Sequence, residues 1–77
     1  MDEIENLREK INNIDSKIAL LLKERLASVQ KIGDTKKSKN LPIIDIGREE
    51  RILSTLDTDY EKEIFKIILS ESRKHQV

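Results

Sequence analysis

Seventy-seven residues make one domain at most, and a chain of this size buries little core on its own. Fifteen Lys and Arg balance fifteen Asp and Glu, which excludes the overall basic character of a nucleic-acid binder, and one Tyr with one Phe is too few for base stacking. The absence of Cys and a single His75 in a carboxylate-poor stretch exclude disulfide staples and a zinc cluster, so a fold of fewer than about 80 residues is left with a partner chain as its source of stability.

The first predicted element starts at Asp2, a plausible N-cap, with Glu3 and Glu5 suited to the positive end of a helix dipole. Ile4, Leu7, Ile11, Ile14, Ile18 and Leu21 then follow at intervals of 3, 4, 3, 4 and 3, the stripe of a helix packed along another helix. No Pro or Gly interrupts the run before Gly33, which either ends the helix or weakens it by about 1 kcal/mol relative to Ala. The pattern predicts a helix over residues 2–36. Its longest apolar run, Ile18 to Leu22, is far too short to cross a bilayer, and the acidic start is unlike a signal peptide. Together with the lack of Cys this leads us to expect a cytoplasmic protein without membrane or nucleic-acid partners.

The next positions of the stripe hold Arg25, Ser28 and Ile32. An arginine where the pattern calls for leucine is the most informative departure in the chain. Burying a guanidinium without a partner costs several kcal/mol, so Arg25 faces an anion, either a carboxylate side chain or a ligand, unless it snorkels out from the end of the stripe.

Lys37 to Asp45 contains Asn40 and Pro42 and reads as an ordered loop whose Leu41, Ile43 and Ile44 tuck onto the helices. Asp45 is a plausible N-cap for a second helix over residues 46–56 with Ile52, Leu53 and Leu56 on its apolar face. Glu49, three and four residues before Ile52 and Leu53, projects from that apolar side. Asp57, Thr58 and Asp59 form a turn and cap, and a third helix over residues 59–75 carries Ile64, Phe65, Ile67, Ile68 and Leu69. Along its i+4 line Ile64 and Ile68 give way to Ser72 and Gln76, so this face turns polar at its end. No repeat and no period-two strand pattern is present, and the fold class expected is all-α.

Each helix thus puts polar groups where apolar ones would extend the core: Arg25, Glu49, and Ser72 with Gln76. Lys36 lies eleven residues after Arg25, on the same face and about 16 Å along the axis, where two long side chains can hold a small anion between them. Polar groups converging on one interior point to a ligand site.

LREKINNID (Leu7 to Asp15), LLLKERLASVQKIGDTK (Leu20 to Lys36), LPIIDIGRE (Leu41 to Glu49) and SESRKHQ (Ser70 to Gln76) resemble the all-helical class of chorismate mutases from end to end. The spacing is specific: eleven from Arg25 to Lys36, nine from Lys36 to Asp45, then Arg48 and Glu49 three and four later, with Ser72 and Gln76 four apart. The resemblance implies a cofactor-free enzyme, with no metal, that rearranges chorismate to prephenate on the route to phenylalanine and tyrosine. It implies an intertwined homodimer of one domain over residues 1–77. Two arginines clamp the substrate's two carboxylates, matched by Arg25 and by Arg8 donated across the interface. Lys36 and Gln76 match the groups that contact the ether oxygen, Glu49 the one that binds the hydroxyl, and Asp45, Arg48 and Ser72 the remaining pocket residues. Asp15 belongs to the matched pattern as a structural residue.

The residues support a shared site independently. Arg8 and Arg25 are seventeen residues apart, about 26 Å on one helix, too far to grip one small molecule. In an antiparallel two-fold pair of first helices, residues whose numbers sum to a constant meet, so Arg8 of one chain comes near the Arg25 to Lys36 stretch of the other. The turn between the second and third helices is shorter than in longer family members. Lys37 and Lys39 are close enough to Lys36 that only the family spacing selects among them. Such domains also occur fused to other enzymes of the same pathway. Two alternatives stay open: a related lyase on the same scaffold that splits pyruvate from isochorismate, and a non-catalytic helical dimerisation or regulatory module.

Overall fold

The computed structural model describes residues 2–76 and holds three helices: α1 (Glu3–Ser38), α2 (Ile46–Ser54) and α3 (Asp59–Lys74). The fold is all-α. Each helix begins at a side-chain cap that takes up an otherwise unpaired N–H. Asp2 Oδ1 accepts from the Glu5 amide at 2.8 Å, Asp45 Oδ1 from the Arg48 amide at 3.0 Å, and Thr58 Oγ1 from the Glu61 amide at 3.1 Å.

Gly33 does not end α1, which continues to Ser38, two residues beyond the expected end. It stops where Asn40 turns left-handed, with φ at 55°. The Leu41 amide then reaches back to the Lys36 carbonyl at 2.8 Å and the Asn40 amide to that of Lys37 at 3.3 Å, the paired bonds of a Schellman cap. α2 is two residues shorter than expected. Its end tightens through bonds from Thr55 to the Ile52 carbonyl and from Leu56 to that of Leu53, 3.2 Å each, as the chain turns into the α3 cap.

Packing is confined to one end of the molecule. α2 lies against α3, and the end of α3 returns to the last third of α1, where Arg25 bonds Ser72; Val29 on α1 and Leu69 on α3 are buried, 7% and 4% exposed. Every residue from Asp2 to Glu24 is exposed, including all six of the apolar stripe, which range from 44% to 60%. The chain therefore extends 57 Å along its longest axis, close to the length of α1 itself. Ile43 is half-buried as expected, whereas Leu41 and Ile44, which were expected to tuck onto the helices, are 52% and 56% exposed. Both line an open groove with Lys36, Pro42 and Ile46 instead of packing on a helix face. Among the described residues no helix is long and apolar enough to cross a membrane.

Candidate active site

A cavity of about 200 Å³ opens between the C-terminal third of α1, the start of α2 and the end of α3. The three stripe positions beyond Leu21 all line it: Arg25, Ser28 and Ile32. One continuous stripe of α1 is therefore an exposed apolar arm in its first part and the wall of a polar cavity in its second.

Arg25 donates from Nη1 to the Ser72 hydroxyl, and Ser72 Oγ in turn donates a hydrogen bond to the Ile68 carbonyl at 2.6 Å. That relay fixes the guanidinium at the cavity wall. Burial lowers the Arg25 pKa from its ordinary value, and the charge of Arg48 adds in the same direction. One end of the stripe is thus held by a cation that lacks a carboxylate partner among the described residues.

Lys36 Nζ donates to the Ile43 carbonyl at 2.8 Å and to Gln76 Oε1 at 3.2 Å. These two bonds aim the ammonium and leave it one N–H. Gln76, with its oxygen turned to Lys36, keeps its amide N–H groups as donors. Glu49 accepts from Arg73 Nη1 at 2.5 Å in a partly shielded ion pair. Asp45 caps α2 and so sets the direction in which Arg48 and Glu49 leave the helix.

Seven of the eight residues singled out from the sequence, Arg25, Lys36, Asp45, Arg48, Glu49, Ser72 and Gln76, line this one cavity. Arg8 does not. It stands on the exposed arm, and because α1 runs unbroken it lies about 26 Å along the axis from Arg25. Arg73 was missed, since a basic residue in the last turn of a helix ordinarily serves the dipole. Its position three residues before Gln76 and four after Leu69, both of which line the cavity, is the signal that locates it. The Ile43 carbonyl has no side-chain signature.

Arg25, Lys36, Arg48 and Arg73 face Asp45 and Glu49 around the cavity, four cations against two carboxylates. The surplus suits a small dianion. A second, more apolar groove of about 310 Å³, lined by Leu22, Leu26, Val29, Ile67 and Ile68 among others, also borders Arg25 and Ser72.

The family model for chorismate mutase type II matches residues 7–77, and the chain belongs to that family. It is 39% identical over 74 residues to a bifunctional chorismate mutase/prephenate dehydratase of Buchnera aphidicola, covering 84% of this chain and 19% of that protein. The enzyme of the same description from Escherichia coli is 33% identical over 75 residues, covering 86% of this chain and again 19% of the relative. The chain thus spans about a fifth of the length of these relatives. A solved structure, a conserved hypothetical protein from Pyrococcus furiosus, superposes with a TM-score of 0.91 at 42% identity and covers 100% of this chain and 99% of that one.

Proposed function

We propose that the chain converts chorismate to prephenate, as a homodimer in which Arg8 of the partner subunit completes each site. The observation that carries this reading is the surplus of two cations around one small cavity, which a substrate with two carboxylates would balance. In the reaction an ether C–O bond breaks as a C–C bond forms within the same molecule, so neither a nucleophile nor a cofactor is called for. What helps is a reactant held in its compact shape and positive charge near the departing oxygen. Orientation of this kind is worth roughly 7–11 kcal/mol in well-organised systems.

On this reading Arg25, steadied by Ser72, takes one carboxylate, and Arg8 of the partner subunit takes the other. The remaining N–H of Lys36 and the amide of Gln76 meet the ether oxygen as it gains negative charge. Glu49 takes the substrate hydroxyl, Arg48 adds positive potential, and Asp45 holds the helix start from which both project. A cytoplasmic location goes with this reading.

The dimer draws support from the shape of one chain. A compact domain of 77 residues has a radius of gyration of about 11–12 Å, whereas this one has 16.1 Å. Its accessible surface of 6458 Å² exceeds by about 1,600 Å² what a monomer of 9.0 kDa exposes. An excess of that size per chain matches the area a permanent dimer buries.

Incubation with chorismate should yield prephenate. Release of pyruvate from isochorismate, with no prephenate from chorismate, would replace this reading with the lyase.

A further inference from the structure

Gly33 stands deep inside a 36-residue helix, where glycine weakens the helix relative to alanine. Its φ is not positive, so α1 does not need a glycine there for its own backbone. The reason lies in the turn that follows α3. A Cβ on residue 33 would stand 2.5 Å from the Gln76 carbonyl oxygen, 2.7 Å from its Cα and 2.9 Å from its carbonyl carbon. All three are backbone atoms, which cannot swing aside as a side chain would. One turn further along α1, Lys36 holds the side-chain oxygen of the same residue at 3.2 Å.

We infer that Gly33 is a positioning residue: the missing side chain lets the turn that follows α3 sit directly on the α1 backbone at Gln76, and that contact sets where the Gln76 amide stands relative to Lys36. The inference rests on the mutase reading, in which that amide meets the ether oxygen. Carbon atoms pack at about 3.5–4.0 Å, so a methyl group at residue 33 would drive the Gln76 backbone back by about 1 Å. The amide would then fall short of its place while the rest of the cavity stays intact. Gly33→Ala should improve α1 as a helix and impair the reaction, opposite effects that a purely structural glycine would not produce.

The test compares Gly33→Ala, Gln76→Ala and the double variant. Gly33→Ala should keep its helix content and lose up to about a hundredfold in kcat, the size expected for a displacement near 1 Å, while KM moves little because the carboxylate contacts survive. The double variant should be no slower than Gln76→Ala alone, since there is then no amide left to misplace. In the 15N-labelled chain the Gln76 side-chain amide resonance should shift in Gly33→Ala, a readout that does not depend on turnover. An unshifted resonance, a wild-type kcat, additive losses in the double variant, or a Gly33→Ala chain that fails to fold would each overturn the inference with wild-type turnover still standing. No prephenate from the wild-type chain would instead bring down the mutase reading, and the catalytic part of this inference with it.

Discussion

Arg25 is held by a serine hydroxyl, a neutral partner that offsets only part of the cost of taking a guanidinium out of water. Its pKa is lowered from the ordinary value, and the sign follows from that. At pH 7 the group is charged in the folded and unfolded chains alike, so folding carries the burial cost in full, and relief comes only as pH rises through the lowered value. Arg25→Leu should therefore melt no lower than wild type while its kcat/KM falls by about a hundredfold or more, an outcome checked by thermal melting beside initial rates. A matched loss of both would make Arg25 a structural residue. Gln76 gives a second test at this scale. In Gln76→Glu a carboxylate would repel the ether oxygen, whereas a protonated carboxyl can donate to it, so activity should rise toward acidic pH. A profile flat from about pH 5 to 8 at near wild-type rate would remove Gln76 from the reaction.

The helices owe their starts to short polar side chains and their joints to local geometry. Asp2 and Asp45 could be read as caps because a carboxylate one position before a helical pattern has few other local uses, and both accept the expected amide. The joint after α1 was less legible. Gly33 drew attention as a possible stop, but the stop is the left-handed Asn40, one of the few side chains that tolerates that conformation. Arg25, Glu49, Ser72 and Gln76 could be found because each stands where an apolar pattern would continue; Lys36 was reached by its spacing from Arg25, and Arg8, Asp45 and Arg48 entered as site residues only through the family resemblance. Arg73 breaks none, and the Ile43 carbonyl that holds Lys36 belongs to the backbone, which every residue shares. Asn40→Gly should leave the melting temperature unchanged or raise it slightly. Asn40→Val should lower it by about 4–8 °C, corresponding to about 1 kcal/mol, with both measured at one chain concentration.

At the scale of the whole molecule, the proposed function draws on a second chain twice, to cover the exposed stripe and to bring Arg8 to the cavity. Sedimentation at micromolar concentration should find a dimer, and Ile14→Glu in the middle of the stripe should weaken it and lower activity together. A well-folded wild-type monomer would count against both the assembly and the composite site. Mixing separates the two. Arg8→Ala and Arg25→Ala chains should each be nearly inactive, yet their mixed dimers should recover part of the rate, because one of the two cavities then has both arginines. Mixed dimers shown to have formed but regaining nothing would place the two arginines within one chain or outside the reaction.

The arm that α1 extends also has a history in time. Of the three helices it is synthesised first, and its stretch from Asp2 to Glu24 is still exposed once all three have formed. Helices in proteins draw most of their stability from packing an apolar face, and this stretch leaves its face unpacked. On the dimer reading, the arm would stay a fraying, apolar-striped segment after α2 and α3 have emerged, until a second completed chain arrives. Newly made chains would then mature at a rate set by encounter. Two nascent chains on neighbouring ribosomes of one messenger are each other's nearest supply.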